Sequence, residues 1–207
     1  TELNILFLND ISNEKFLTYF ISNDEIKDYF QIHNFNGKKK EMLLVPKQYL
    51  KDSKDTLLIS IKEISNDFDA CYLGAVARTK INLDCNITYE TGLVDFPQVH
   101  SFTLGMLLSG YKFDKYLNKK DDSEKISLDT SIMSDEQEVT RDAIYFVRDL
   151  VNTPTLDKTP EYFIDEVKKL IHNEDISLDI HNKEWLQNEG FGGVIGVSQG
   201  SAKEPYL

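Results

Sequence analysis

The stretch FVRDLVNTPTLDKTPEYF, Phe146 to Phe163, decides how this chain is divided. Pro154 disfavours α geometry at Thr153, so a helix running through Arg148-Asp149-Leu150-Val151 must stop near Asn152. A second helix begins a few residues later. Thr159 stands at an N-cap position, and Pro160 sits at N1, where its missing N–H costs nothing. Glu161 then favours the first turn. Two helices separated by a proline-marked break read as a hinge.

The first of these helices traces back to Ser134-Asp135-Glu136-Gln137. Ser134 can accept from the N3 amide while Gln137 reaches back to Ser134, which is a capping box. Val139, Ala143, Phe146, Val147, Leu150 and Val151 then mark one apolar stripe, which predicts a buried face. Arg148 near the far end suits the negative pole of the helix dipole. About 18 residues rising ~1.5 Å each make a rod of roughly 27 Å, a length that suits an interdomain connector. Residues 1–133 therefore read as one α/β domain, 134–152 as a linker helix, and 153–207 as the beginning of a second, incomplete α/β unit.

Before the linker, strands alternate with helices. Leu3–Leu8 is a continuous apolar run closed by Asn9-Asp10, the pattern of a buried strand. Asp24–Phe35 has helical apolar spacing and leads into an Asn36-Gly37 turn. Met42–Val45 reads as a strand stopped by Pro46, and Leu57–Ile61 as another. Asp69–Ile81 reads as a helix, Asn86–Thr91 as a strand and Gln98–Leu117 as a long helix. That helix offers Phe102, Met106, Leu107, Tyr111 and Phe113 as core positions. Lys125–Ile132 is one more strand candidate. This alternation predicts an α/β domain around a largely parallel or mixed sheet. Beyond the hinge, Ile164, Val167, Leu170 and Ile171 mark the apolar face of the second helix. Ile176–Ile180 reads as a strand, Lys183–Glu189 as a short helix, and Phe191–Gly200 as a glycine-rich apolar segment at the head of a strand-like tail that runs to Leu207.

Bulk composition excludes several classes. The 207 residues are 41% hydrophobic and 28% charged, as in an ordinary globular protein. Net charge is -12, from 35 acidic against 23 basic residues, which opposes non-specific binding to phosphate backbones. Lys38-Lys39-Lys40 and Lys119-Lys120 are the dense basic runs, and a solvated turn accounts for the first. Cys71 and Cys85 are the two cysteines; no C-x-x-C occurs, so neither a zinc ribbon nor a disulfide framework is indicated. The residues TELNILFLND lack the basic region and long apolar core of a signal peptide, and no apolar run has transmembrane length. These features fit a cytoplasmic protein with no membrane partner.

Individual residues yield no catalytic constellation. His33, His100, His172 and His181 lack H-E-x-x-H or Cys/His ligand spacing. Asp95, His100 and Ser101 could be imagined as a triad, but no G-x-S-x-G elbow is present and adjacency in sequence is no sign of triad geometry. Gly190, Gly192, Gly193 and Gly196 fit neither a dinucleotide fingerprint nor a Walker loop, and close backbone packing at a turn explains them. Trp185 reads as a packing residue. Asn86-Ile87-Thr88 matches a glycosylation triplet that matters only in a secreted protein.

Three stretches do carry a resemblance. Arg148-Asp149-Leu150-Val151-Asn152-Thr153-Pro154 with Thr159-Pro160-Glu161-Tyr162 resembles the interdomain junction of the cytosol (leucine) aminopeptidases. Gly110-Tyr111-Lys112-Phe113-Asp114-Lys115-Tyr116 is similar to that family's Tyr-Arg/Lys-Phe-Asp-Lys/Arg-Tyr element. Gly190-Phe191-Gly192-Gly193-Val194-Ile195-Gly196-Val197-Ser198-Gln199-Gly200-Ser201 resembles its glycine-rich stretch ending in Gln-Gly-Ser. They occur in the family's order and near its spacing, and together cover only some 30 residues. The first 100 residues match no motif and are assigned by position.

The resemblance implies an N-terminal α/β domain of macro-domain type, a linking helix and a larger catalytic α/β domain. It implies a homo-hexamer that removes N-terminal residues, often leucine, from peptides. It also implies two divalent metals, zinc or manganese. Paired metals of this kind lower the pKa of the attacking water and polarise the scissile carbonyl. The family's ligands, a lysine with aspartates and a glutamate, sit in Gly-Lys-Gly…Phe-Asp-Ser-Gly-Gly-like and Asn-Thr-Asp-Ala-Glu-Gly-Arg-like segments. Neither segment occurs in these 207 residues, and the expectation is that both lie beyond Leu207. No residue here is therefore assigned as catalytic, cofactor-binding or metal-binding. The expected function is the N-terminal portion of a two-metal exopeptidase, with residues 1–133 serving assembly and active-site access and the chain alone inactive. The alternative is a stand-alone, non-catalytic binding or oligomerisation module. A macro-type fold also raises ADP-ribose binding, but no glycine-rich loop after a strand supports it in residues 1–133. DNA binding is opposed by the net charge.

Overall fold

The computed structural model describes residues 2–81, 86–90, 94–118, 127–128, 134–171 and 176–207. The chain divides into two compact units, Thr1–Tyr145 and Phe146–Leu207.

Strand β1, Glu2–Leu8, is the centre of the first unit. Beyond half-buried Asn4, its run Ile5–Leu8 has no polar alternation because both faces are covered. Leu3, Ile5 and Phe7 enter one core, while Leu6 and Leu8 enter the other. A strand buried on both faces reads as continuously hydrophobic for this reason. Helix α1, Glu14–Leu17, and helix α2, Asn23–Ile32, follow. Then come β2, Met42–Val45, and β3, Asp55–Ser60, separated by a short 3₁₀ turn at Lys47–Tyr49. Helix α3, Asp67–Thr79, leads to β4, Asn86–Glu90, and helix α4, Val99–Ser109, to β5, Ser127–Leu128. Among the described residues these strands form one sheet in the order β2-β3-β1-β4-β5. Strand β1 runs parallel to β3 and β4, β5 parallel to β4, and β2 antiparallel to β3. The chain is thus of the α/β class with a mixed sheet, as its alternation predicts.

The two faces are packed differently. Below β1, Phe16, Phe20, Ile26, Phe30 and Phe35 from the α1–α2 region meet Leu58 and Val45. Helix α2 ends in a left-handed residue, Asn34, at φ 53°. Phe35 N–H then donates to Phe30 O at 2.9 Å and Asn34 N–H to Gln31 O at 3.1 Å, closing the helix end. Tyr29 Oη donates to Leu44 O on the sheet-edge strand β2 at 3.1 Å. On the opposite face, Phe7 contacts Tyr89, Phe96 and Phe102, with ring centroids 5.7, 4.9 and 5.1 Å away.

Helices α3 and α4 cross at two glycines. A Cβ built on Gly74 would lie 1.9 Å from Phe102 O, and one on Gly105 would lie 1.9 Å from Cys71 O. The backbones themselves are in contact there, so only glycine fits at either position.

Tyr89 places its hydroxyl in this interior, 3.2 Å from Thr103 Oγ1 and 3.4 Å from Met106 Sδ. Burial pushes the phenol well above its ordinary 10.0, and the Thr103 contact pulls weakly the other way. A group whose folded pKa is raised adds stability that is complete below the unfolded value and is lost as pH climbs above it. The thermal midpoint should therefore fall above about pH 10. Tyr89→Phe, which has no phenol to ionise, should fall less steeply over the same range. Parallel curves for the two proteins would show that Tyr89 contributes nothing to the alkaline loss.

Helix α4 stops at Ser109, with Gly110 as its C-cap, not at Leu117. The long-helix expectation fails because Ser109-Gly110 is a poor continuation. Leu104, Met106, Leu107 and Leu108 are apolar on several sides of the helix, so periodicity does not show its end. Tyr111 and Phe113 are half-buried rather than core residues, and Leu117 N–H closes a turn on Asp114 O at 2.9 Å. Of the Lys125–Ile132 strand, β5 is the described portion; its remaining residues lie outside the described ones.

Helix α5 spans Asp135–Asn152, 18 residues. Its capping box forms as the sequence predicts: Gln137 N–H donates to Ser134 Oγ at 3.4 Å and Ser134 N–H donates to Gln137 Oε1 at 3.1 Å. Gln137 Nε2 also donates to His100 O, and Tyr145 Oη to Leu107 O, so α4 and the first part of α5 are tied by side chains. The predicted buried stripe is absent. Val139, Val147 and Val151 are 69%, 56% and 71% exposed, and Gln137 is the buried residue of the helix. Amphipathic spacing identifies a face but not whether anything covers it. Arg148 falls just before the last turn, which carries no basic residue.

Candidate functional site

The hinge residues read from the sequence are engaged in backbone geometry. Thr153 is buried and donates to Asp149 O through both its N–H, at 2.9 Å, and its hydroxyl, at 2.7 Å. Lys158 Nζ donates to Leu150 O at 2.9 Å. These bonds satisfy carbonyls left open at the C-terminus of α5. Pro154 O accepts from Asp157 N–H at 3.0 Å and Lys158 N–H at 2.9 Å, which makes the break a tight turn. Helix α6, Pro160–Leu170, starts as predicted, with Pro160 in its first turn and Tyr162 N–H donating to Thr159 Oγ1 at 3.2 Å.

Beyond α6, two expectations are corrected. Ile176–Ile180 is not assigned as a strand, because no second strand lies beside it among the described residues. Helix α7, Lys183–Asn188, forms where predicted. Phe191–Leu207, expected as a strand-like tail, contains helix α8, Gly192–Ser198. Its glycines are not packing glycines either: a Cβ on Gly192, Gly193 or Gly196 would meet nothing within 4 Å. Gly190 alone fits the turn reading. It is left-handed, at φ +78°, and Phe191 N–H donates to Leu186 O at 2.9 Å to close α7.

The second unit buries little. Among its described residues Thr153, Leu186 and Pro205 are buried. An apolar groove of about 370 Å³ opens beside α6, lined by Phe163, Ile164, Val167, Leu178, Ile180 and Leu207 with their neighbours. Phe163 is 50% exposed and Leu207 55%. The sequence held a signal for this groove, the alternating apolar residues of ISLDI.

The remaining candidates are scattered. His33 caps α2 and stacks on Tyr29, ring centroids 4.3 Å apart. His100 and Ser101 are neighbours on α4, and Ser101 Oγ donates to Asp67 at 2.7 Å, so no triad with Asp95 assembles. His181 stacks on Trp185 at 3.7 Å, with Phe191 5.4 Å beyond, so Trp185 packs as expected. His172, Cys85 and Lys119-Lys120 lie outside the described residues. Cys71 is a free, half-buried thiol that burial pushes above its ordinary pKa. Lys40, read as part of a solvated turn, bonds Asp69 at 2.9 Å and lies over the Tyr72 ring. That bond is the largest cause holding the Asp69 carboxyl below its usual value. Among the described residues, no three His, Cys, Asp or Glu side chains form a group that could hold a metal. No described helix is long and apolar enough to cross a membrane.

Residues 145–207 match the family model described as the cytosol aminopeptidase family, catalytic domain. Over these residues, under a third of its length, the chain is similar to that family's catalytic domain. A probable cytosol aminopeptidase of Rickettsia canadensis is 27% identical over 114 residues, which cover 50% of this chain and 23% of that protein. A probable cytosol aminopeptidase of Syntrophotalea carbinolica is 31% identical over 117 residues, 50% of this chain and 24% of the relative. The matched stretch is thus about a quarter of each cytosol aminopeptidase's length. In fold, the chain is similar to the bottromycin maturation enzyme BotP, with TM-score 0.73, 15% identity, and coverage of 100% of this chain and 45% of BotP. A second BotP structure is in complex with Mn. A tomato leucine aminopeptidase variant gives TM-score 0.69 at 15% identity, covering 99% of this chain and 46% of that one. At such identities these likenesses concern the fold of the cytosol aminopeptidase family alone.

Proposed function

We propose that these 207 residues are the N-terminal portion of a leucine-aminopeptidase-like, two-metal exopeptidase that removes N-terminal amino acids from peptides in the cytoplasm. The match of residues 145–207 to the family's catalytic domain carries this reading. It begins within the helix that leads into the Asn152-Thr153-Pro154 hinge. In this reading residues 1–133, of macro-like type, serve homo-hexamer assembly and shape access to the active site. Two divalent metals, zinc or manganese, are held elsewhere in the full-length protein, since the described residues supply no donor set. No catalytic step is assigned to this chain.

The stand-alone module is the second reading. An open apolar strand over Phe191–Leu207 would have counted against it, but Gly192–Ser198 is helical. The uncovered groove beside α6 still counts against it.

The test compares two purified proteins, the 207-residue chain and the product of the whole reading frame, on a leucyl chromogenic amide. The longer protein should turn over substrate when supplied with Mn²⁺ or Zn²⁺ and lose that activity to a chelator; the shorter should stay at background. Manganese-responsive turnover by the 207-residue chain would overturn the assignment of its chemistry to residues outside it.

A further inference from the structure

Asn36-Gly37, read from the sequence as a turn, is the one Asn-Gly pair in the chain. It lies in the segment between α2 and β2, against the ends of two strands. Gly37 is left-handed, at φ +66°, and a Cβ built on it would lie 2.9 Å from Ile11 Cγ2 and 3.5 Å from Leu8 Cδ1, at the end of β1. Its carbonyl accepts from Ser60 Oγ, on the last residue of β3, at 2.9 Å. Asn36 N–H and Lys38 N–H both donate to one oxygen, Oε2 of Glu41, each at 2.9 Å. The two amides that flank Gly37 thus converge on a single carboxylate.

The amide between them is left over. Among the described residues nothing accepts from the Gly37 N–H. Asn36 is exposed, and its Nδ2 donates to Asn34 O at 3.0 Å. That bond is made at the surface, where water readily takes over either partner. Its release frees the side-chain carbonyl carbon to swing onto the neighbouring nitrogen, and glycine puts no side chain in the way.

We propose that Asn36 is a site of deamidation and that its conversion undoes the Glu41 clamp. The Gly37 nitrogen bonds to Asn36 Cγ, the Cγ–Nδ2 bond breaks, and Nδ2 leaves as ammonia with the proton that Gly37 gives up. Water then opens the succinimide. Opening at Cγ yields aspartate. Opening at the main-chain carbonyl yields isoaspartate, whose main chain passes through Cβ and Cγ. Either product sets a carboxylate beside Glu41, where like charges repel, and neither can donate to Asn34 O. Isoaspartate also adds one backbone atom between the Asn36 and Lys38 amides, so the two no longer meet at the same Oε2. The loss reaches β3, because Ser60 bonds Gly37 O through its hydroxyl and Glu41 O through its N–H.

Peptide mapping by mass spectrometry tests the first half, on purified protein held at neutral pH and body temperature for increasing times. Position 36 should convert ahead of every other asparagine, to aspartate and isoaspartate together. An Asn36 that keeps its amide, or converts no faster than the other asparagines, would overturn the proposal. Urea midpoints test the second half. The aged protein should lose midpoint in step with conversion, while aged Asn36→Gln, whose longer side chain closes the ring poorly, should keep its own. Asn36→Asp should lower the midpoint at once, and should lower it less when Glu41→Gln removes the opposing charge. An equal loss with and without Glu41→Gln, or an aged protein with an unchanged midpoint, would overturn the role given to Glu41.

Discussion

Gly105→Ala should abolish the folded state of the α/β unit. The added Cβ would lie 1.9 Å from Cys71 O, 2.7 Å from Cys71 C and 2.9 Å from its Cα. These are backbone atoms of α3, so no rotamer change relieves the clash. Helix α3 would have to move off α4. Yet Ala70, Leu73 and Ala77 on one helix, and Phe102 and Met106 on the other, are buried in the same core. Alanine ordinarily favours a helix interior over glycine by up to about 1 kcal/mol. Overpacking costs about 1–3 kcal/mol where side chains can yield, and occasionally more. Here backbone must yield, so the cost lies at or beyond the top of that range. Gly74→Ala should behave alike, since its Cβ would meet Phe102 O. Gly196→Ala, with nothing within 4 Å, should be neutral or stabilising. Urea midpoints of the three variants read the result. A stable, native-like Gly105→Ala protein would mean that the two helices do not touch through their backbones.

Phe7→Ala carries the next largest effect, about 3–5 kcal/mol of lost stability. Phe7 is 1% exposed on the central strand, and its ring sits among Tyr89, Phe96 and Phe102. Truncation leaves a void bounded by the sheet on one side and α4 on the other, and neither can collapse far into it. Phe68, 81% exposed on α3, is the matched control, and Phe68→Ala should stay within about 0.5 kcal/mol of the parent. Denaturant unfolding followed by far-ultraviolet circular dichroism separates the two. Equal midpoints would contradict the burial of Phe7.

Local signals in the sequence translated well because they act locally. Pro154, Thr159 and Pro160 end one helix and start the next wherever they occur, and Ser134 with Gln137 forms its cap without help from distant residues. The β1 run was legible because burial on both faces leaves no polar position from Ile5 to Leu8. What escaped depends on neighbours. Gly74 and Gly105 look like weak points of helices until the opposing backbone is in place. Val139, Val147 and Val151 promise a buried face that the chain does not cover. Gly192, Gly193 and Gly196 suggested close backbone packing at a turn, whereas the helix there needs no close partner. For the functional site, three short motifs pointed to the same family whose catalytic-domain model matches residues 145–207. They named no catalytic residue.

One bond at the rim of the sheet limits how this protein can polymerise. Strand β2 is four residues long and is followed at once by Pro46, and the Leu44 carbonyl is already occupied by Tyr29. A rim so short, with one acceptor taken and no donor on the next residue, gives an incoming chain too few points of attachment to hold register. Fibrous stacking through this rim is thereby discouraged. Any association at this rim is left to side chains rather than to backbone pairing.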